Sequence, residues 1–252
     1  MPAATVAPLE LRGVSKFYGP RLIFKDVTCA LRAASVTLLA GANGAGKSTL
    51  LRILAGLSRP SSGTAACRTE AAKLAYLGHA TFIYPGLTAL ENLLFWRRLA
   101  RIPADEDAAL ALLARVGLAR HAHEKAGVFS RGMAQRLNLA RVLQQEPDTL
   151  LLDEPGTGLD SRSSAMLREE VAAARERGAC VVWISHDLEG DAPFADRALC
   201  LHNRRLAFDG TPRDCAAFLQ EAARTDADRT SHAGRRPDAG AAPAPAGEGA
   251  PC

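Results

Sequence analysis

No stretch of this chain approaches the roughly 18 consecutive apolar residues that a membrane-spanning helix requires, so no such helix is predicted. The start, Met1-Pro2-Ala3-Ala4-Thr5, lacks the basic residues and apolar core of a signal peptide, and the sequence therefore predicts a chain that stays in the cytoplasm. No C-x-x-C and no zinc-like cluster occurs among Cys29, Cys67, Cys180, Cys200, Cys215 and Cys252. They read as buried or free thiols in a reducing compartment, with thiol chemistry at Cys252 left open. The formal charge of +4 comes from scattered arginines. With no block of like charge, a nucleic-acid-binding arm is missing and nucleic acid is not an expected partner. No internal repeat is visible.

What is present is an ordinary globular composition. The 252 residues are 48% hydrophobic and 23% charged, which leaves room for one large core or a core plus a small subdomain. From Pro8 to about Gln220, short β-like runs alternate with helical stretches, and that alternation predicts an α/β sheet fold. A helical subdomain is expected over about 85–145, where Leu110, Leu112, Leu113 and Val116 stripe one helix. Thr149-Leu150-Leu151-Leu152 and Cys180-Val181-Val182-Trp183-Ile184 are short and apolar, as central strands buried on both faces must be. Residues 221–252, ending in an Ala/Pro/Gly-rich run, are predicted to form a disordered tail beyond the domain at 8–220.

Residues 41–48 read Gly-Ala-Asn-Gly-Ala-Gly-Lys-Ser, after the apolar run Ser35 to Ala40 and before Thr49-Leu50-Leu51-Arg52-Ile53-Leu54. A strand, a tight glycine turn and a helix start in that order bring backbone N–H groups onto phosphate oxygens. Lys47 would then reach the β- and γ-phosphates, and the Ser48 hydroxyl would hold Mg²⁺. Asp153 and Glu154 leave the Leu150 to Leu152 strand together, so that Asp153 can serve the metal ion while Glu154 orients or deprotonates an attacking water. Two solvated acids at a strand end are the alternative. Ser185-His186-Asp187 follows the next strand, where His186 is either a γ-phosphate contact or an ordinary surface histidine.

Taken together, residues 8–210 resemble the nucleotide-binding subunits of ATP-binding-cassette (ABC) transporters. The resemblance implies a P-loop NTPase fold of the ABC type, with a mixed sheet core and a helical subdomain. On that basis Gly41, Ala42, Asn43, Gly44, Ala45, Gly46, Lys47, Ser48 and Thr49 would form the Walker A phosphate site for ATP. Leu150 to Glu154 would be the Walker B strand with Glu154 catalytic, Gly158-Leu159-Asp160 the D-loop, and His186 the switch histidine. Tyr18 stands where the family stacks an aromatic ring on adenine; a packed tyrosine beside a turn is the alternative. Phe129-Ser130-Arg131-Gly132-Met133-Ala134-Gln135 resembles the family's signature segment, which meets the nucleotide of a second subunit. Ser130 and Gly132 match it, whereas Arg131 and Met133 replace a glycine and a glutamine.

The family usually carries glutamine where His79 stands, at the loop linking the active site to the membrane partner, so the resemblance implies that His79 belongs to the nucleotide site. Tyr76-Leu77-Gly78-His79, with Leu87 to Leu93 and Phe95-Trp96, resembles the cytochrome c maturation branch, the haem-exporter ATPases. Helical packing is the plain alternative for Phe95 and Trp96. The resemblance implies a homodimer of ATPase subunits, bound to integral membrane ABC subunits at the cytoplasmic face of a bacterial inner membrane. It implies ATP and Mg²⁺ as cofactors, and haem and a periplasmic haem chaperone as indirect partners. Another exporter with a drug, ion or glycan cargo is the first alternative. A soluble ABC protein acting without transport is the second, and the single cassette and the short span from Lys47 to Ser130 speak against it.

Overall fold

The computed structural model describes residues 7–78 and 80–233. The chain opens with β1 (Leu9–Tyr18) and β2 (Arg21–Leu31), an antiparallel pair in which Leu9, Leu11, Val14, Phe24 and Val27 are buried. β3 (Ser35–Gly41) is buried along its length and delivers the chain to α1 (Lys47–Leu54). β4 (Ser62–Cys67) adds to β1 as an exposed edge of small residues, closing a three-stranded sheet in the order β2-β1-β4.

β5 (Leu74–Leu77) precedes three helices, α2 (Ala89–Leu99), α3 (Glu106–Arg115) and α4 (Arg131–Leu143). On α3, Leu112 and Leu113 are buried with Val116 just beyond, while Leu110 of the expected stripe is half-buried. β6 (Thr149–Asp153), α5 (Ser161–Glu176), β7 (Cys180–Ile184), the short α6 (Leu188–Asp191), β8 (Arg197–His202) and β9 (Arg205–Gly210) follow. The second sheet runs β5-β6-β7-β3-β8-β9, parallel except for the last pair. β6 and β7 are fully buried, which explains their unbroken apolar runs. One core cluster spans both sheets and α1: it holds Leu50, Leu51, Ile53 and Leu54 of α1 together with Leu11 and Phe24 of the first sheet and Leu151 and Val182 of the second.

Contacts divide the chain into two units, Met1–Ala216 and Ala217–Cys252. α7 (Pro212–Ala233) carries the described part of the second unit. Residues 221–233 of the expected tail lie in this helix. The stretch holds no Gly or Pro, and its four alanines and two arginines favour helix. The remainder of that expected tail, 234–252, lies outside the described residues, as does His79.

Candidate nucleotide site

Parallel register sets the site. Asp153 pairs with Ile184 and Leu39 with the same Ile184, so Asp153, Ser185 and the loop after Gly41 emerge at one edge of the sheet. The carboxyl ends of parallel strands are where ligands gather in α/β folds. From β3 the chain turns through Gly41 at φ 138° and Gly46 at φ 100°, both in the region that favours glycine. A side chain at Gly46 would place Cβ 2.7 Å from Ile23 Cγ2, so the turn is also packed from below. Gly46 caps α1 without a side-chain bond, and no acidic residue stands in its first turn. The free N–H groups and the helix dipole therefore favour an anion there.

Lys47 is buried and folded back, its Nζ donating to the carbonyls of Gly41 at 2.8 Å and Ala42 at 3.1 Å. Burial holds its pKa below the ordinary lysine value, against the opposing pull of Glu154 and Asp153. Ser48 Oγ donates to Asp153 Oδ1 at 2.9 Å, and the Tyr76 hydroxyl donates to Asp153 Oδ2 at 3.2 Å. Asp153 is buried, so a hydroxyl and a carboxylate meet out of bulk water. That hard-oxygen set suits Mg²⁺. His186 Nε2 lies 2.6 Å from Glu154 Oε1, and Glu154 sits at φ 55°, an uncommon left-handed conformation for a residue with a side chain. A cleft of about 490 Å³ brings together Asn43, Gly44, Lys47, Ser48, Glu154 and His186, with Thr49 at its wall.

Other expected residues lie apart from that cleft. Tyr18, at the end of β1, is half exposed with Lys16 Nζ 4.9 Å from its ring centroid. Ser130 caps α4 by accepting from the Met133 N–H, and Asp160 caps α5 by accepting from the Ser163 N–H at 2.7 Å. The latter bond heads the causes that hold the Asp160 carboxyl below its usual range. Gly132 approaches the Pro155–Asp160 turn, since a Cβ there would stand 3.4 Å from the Gly158 carbonyl. Ala42 and Ala45 complete the phosphate loop, closed by Ala45 N–H donating to the Ala42 carbonyl.

The structure adds contacts that the sequence does not show. Arg21 and Ile23 of β2 form part of the cleft wall. Tyr76 ties Asp153 from the neighbouring strand, and the signal was a tyrosine inside the apolar run Leu74 to Leu77. Phe95 and Trp96 do more than pack a helix. Tyr84 and Phe95 meet edge to face at 4.7 Å, Trp96 donates to the Phe82 carbonyl, and the buried Arg141 guanidinium lies 5.0 Å from the Trp96 ring centroid. Burial pulls the Arg141 pKa down to about 10. Glu91 and Asn92 order the loop before α2. Glu91 completes a capping box with Thr88, and buried Asn92 bonds the backbone of Tyr84, Leu87 and Thr88.

Comparison with known proteins agrees with this geometry. The family model described as ABC transporter matches residues 24–157. The phosphonates import ATP-binding protein PhnC 1 of Natronomonas pharaonis is 38% identical over 227 residues, covering 84% of this chain and 96% of its own. The cytochrome c biogenesis ATP-binding export protein CcmA of Paramagnetospirillum magneticum is 40% identical over 179 residues, covering 67% of this chain and 82% of its own. An HMP/thiamine import ATP-binding protein of Bacillus subtilis, YkoD, is 36% identical over 84% of this chain, which spans only 40% of that relative's length. Among solved structures, one described as the ATP binding subunit of an ABC transporter superposes with a TM-score of 0.75 at 26% identity, covering 84% of this chain and 93% of that one. The cargoes named for these relatives differ, whereas all three are ATP-binding proteins. With its phosphate loop, its paired acids and its α/β architecture, this chain belongs to the ABC transporter family and has the fold of that family's ATP-binding subunits.

Proposed function

We propose that this chain hydrolyses ATP for a membrane complex that serves cytochrome c maturation, by haem export or by release of a haem-loaded chaperone. The convergence of Lys47, Ser48, Asp153, Glu154 and His186 at one sheet edge carries the ATPase reading. The β- and γ-phosphates would lie against the N–H groups of residues 44–49 and the ammonium of Lys47, whose two carbonyl bonds a phosphate can replace. Ser48 and Asp153 would hold Mg²⁺, which when bound neutralises charge on the β- and γ-oxygens. Glu154 takes the proton of an attacking water as it adds to the γ-phosphorus and the bridging oxygen leaves with ADP. His186, now on Glu154, is within reach to orient that carboxylate and contact the γ-phosphate.

In this reading residues 8–220 form the ATPase domain and Tyr18 stacks on adenine. Ser130, Gly132 and Asp160 serve a second copy, because they lie away from the cleft that their own chain forms. Two copies closed on two ATP molecules would reopen when the γ-phosphate is lost, driving a membrane partner at the cytoplasmic face of the inner membrane. The haem assignment is supported by the likeness to CcmA and by Tyr76 to His79 with Phe95 and Trp96. The test is Lys47→Ala in the native cell. Loss of covalent haem attachment with normal apocytochrome levels is expected; unaltered attachment overturns the haem role. Arg131 and Met133 in the signature favour a second reading, an ABC ATPase with another cargo, which the identity of co-purifying membrane subunits distinguishes.

A further inference from the structure

The loop that carries His186 is held by a side-chain network that reaches back to α5. Asp191 and Ser185 are both buried, and Ser185 Oγ donates to Asp191 Oδ2 at 2.6 Å. The same Oγ accepts from the Asp187 N–H at 3.0 Å, so one hydroxyl brackets His186 on both sides. Asp187 in turn accepts from the Gly190 N–H at 2.9 Å, closing the loop on itself. The other oxygen of Asp191 receives two bonds from Arg168, from Nε at 3.0 Å and Nη2 at 2.8 Å. Arg168 is held in turn by Phe194, whose ring centroid lies 5.1 Å from its guanidinium carbon.

Arg168 belongs to α5, the helix capped by Asp160. The Arg168–Asp191–Ser185 chain therefore ties the helix that begins at the D-loop turn to the loop that places His186 on Glu154. It borders a cavity of about 230 Å³ whose wall includes Glu154, His186, Ser185 and Asp191, so loosening it would open space directly behind the catalytic pair. A buried carboxylate with charge-assisted bonds on one oxygen and a hydroxyl on the other has few alternative arrangements. We propose that Asp191, Ser185 and Arg168 are positioning residues that set the orientation of His186 toward Glu154 and couple it to the helix of the D-loop.

This rests on the ATPase reading of the cleft, and the experiment separates the two. Steady-state ATP turnover, fluorescent ATP-analogue affinity and thermal melting are measured on the full chain for wild type, Glu154→Gln, Asp191→Asn, Ser185→Ala and Ser185→Thr. Asp191→Asn and Ser185→Ala are expected to lower kcat by about tenfold while KM and analogue affinity stay within about twofold, since the phosphate loop is untouched. Ser185→Thr, which keeps the hydroxyl, is expected to restore most of kcat. If Asp191→Asn melts below the assay temperature, the Ser185 pair carries the test. An active wild type with a dead Glu154→Gln, alongside folded Asp191→Asn and Ser185→Ala of wild-type kcat, overturns this proposal alone. Equal losses in turnover and analogue affinity also overturn it, because a general structural defect then explains them. A wild type without turnover overturns the ATPase reading and this inference with it.

Discussion

α1 and α4 both begin with no acidic residue in the first turn, and both begin within a segment that the sequence marks for phosphate contact. Their surroundings differ. At α1 the cap is a glycine in a left-handed turn, Lys47 and Ser48 stand in the first turn, and Asp153, Glu154 and His186 arrive from two other strands. At α4 the cap is Ser130, already spent on its own helix, and the neighbours are a turn of the same chain: Gln135 donates to the Pro155 carbonyl and Gly132 approaches Gly158. A helix start attracts an anion through its free N–H groups, but phosphoryl transfer also needs a cation, a metal-binding pair and a base. On the proposed function, α1 would have all of these within one chain, and α4 would supply half of a site that a second copy completes.

The comparison breaks most visibly at Glu154. Glu154→Gln is expected to lower ATP turnover by about 10²–10⁴-fold and to elute as a dimer in ATP during size-exclusion chromatography. A persistently monomeric variant would refute the idea that α4 serves another subunit. The two glycines sharpen the contrast. Gly46→Ala forces Cβ against Ile23 and Phe24 at a positive φ, and is expected to cost about 1–3 kcal/mol and abolish nucleotide binding, read by melting and by analogue titration. Gly132→Ala has room for its methyl, so melting and ATP affinity should match wild type while turnover falls about tenfold.

Smaller effects test the supports. Thr88→Ala removes the acceptor for the Glu91 N–H and should lower stability by about 1 kcal/mol, a melting shift of about 2–4 °C, without altering ATP affinity. Lys47 offers a pH test. Burial lowers its folded pKa, so over the interval between that value and the ordinary lysine value the unfolded chain binds the proton more strongly. The nucleotide-free protein should gain stability as pH rises through that interval. Comparing melting of wild type and Lys47→Met across it should show the gain in wild type only.

Much of the sheet core and of the glycine turn is legible in the sequence. Leu150 to Leu152 and Cys180 to Ile184 are apolar throughout because both faces of a central parallel strand are buried, and Gly41 to Ser48 announces its turn by glycine spacing. Other features were hidden for a common reason. Tyr76 meets Asp153 across 77 positions, and Arg168 meets Asp191 across 23, so no local pattern links them. Arg141 carries no signal of its own in the sequence, yet it is buried with its guanidinium against Phe82 and Trp96. The helical stretch 221–233 was absorbed into the composition of the Ala/Pro/Gly run that follows it.

The sequence by itself determined the α/β alternation, the phosphate loop and the identity of the acids and histidine around it, because strand burial, glycine turns and helix starts are local physics. Only the tertiary structure decided which groups meet: Ser48 and Tyr76 on Asp153, His186 on Glu154, and Arg168 on Asp191. Those contacts depend on strand order and register, which local residue preference does not encode.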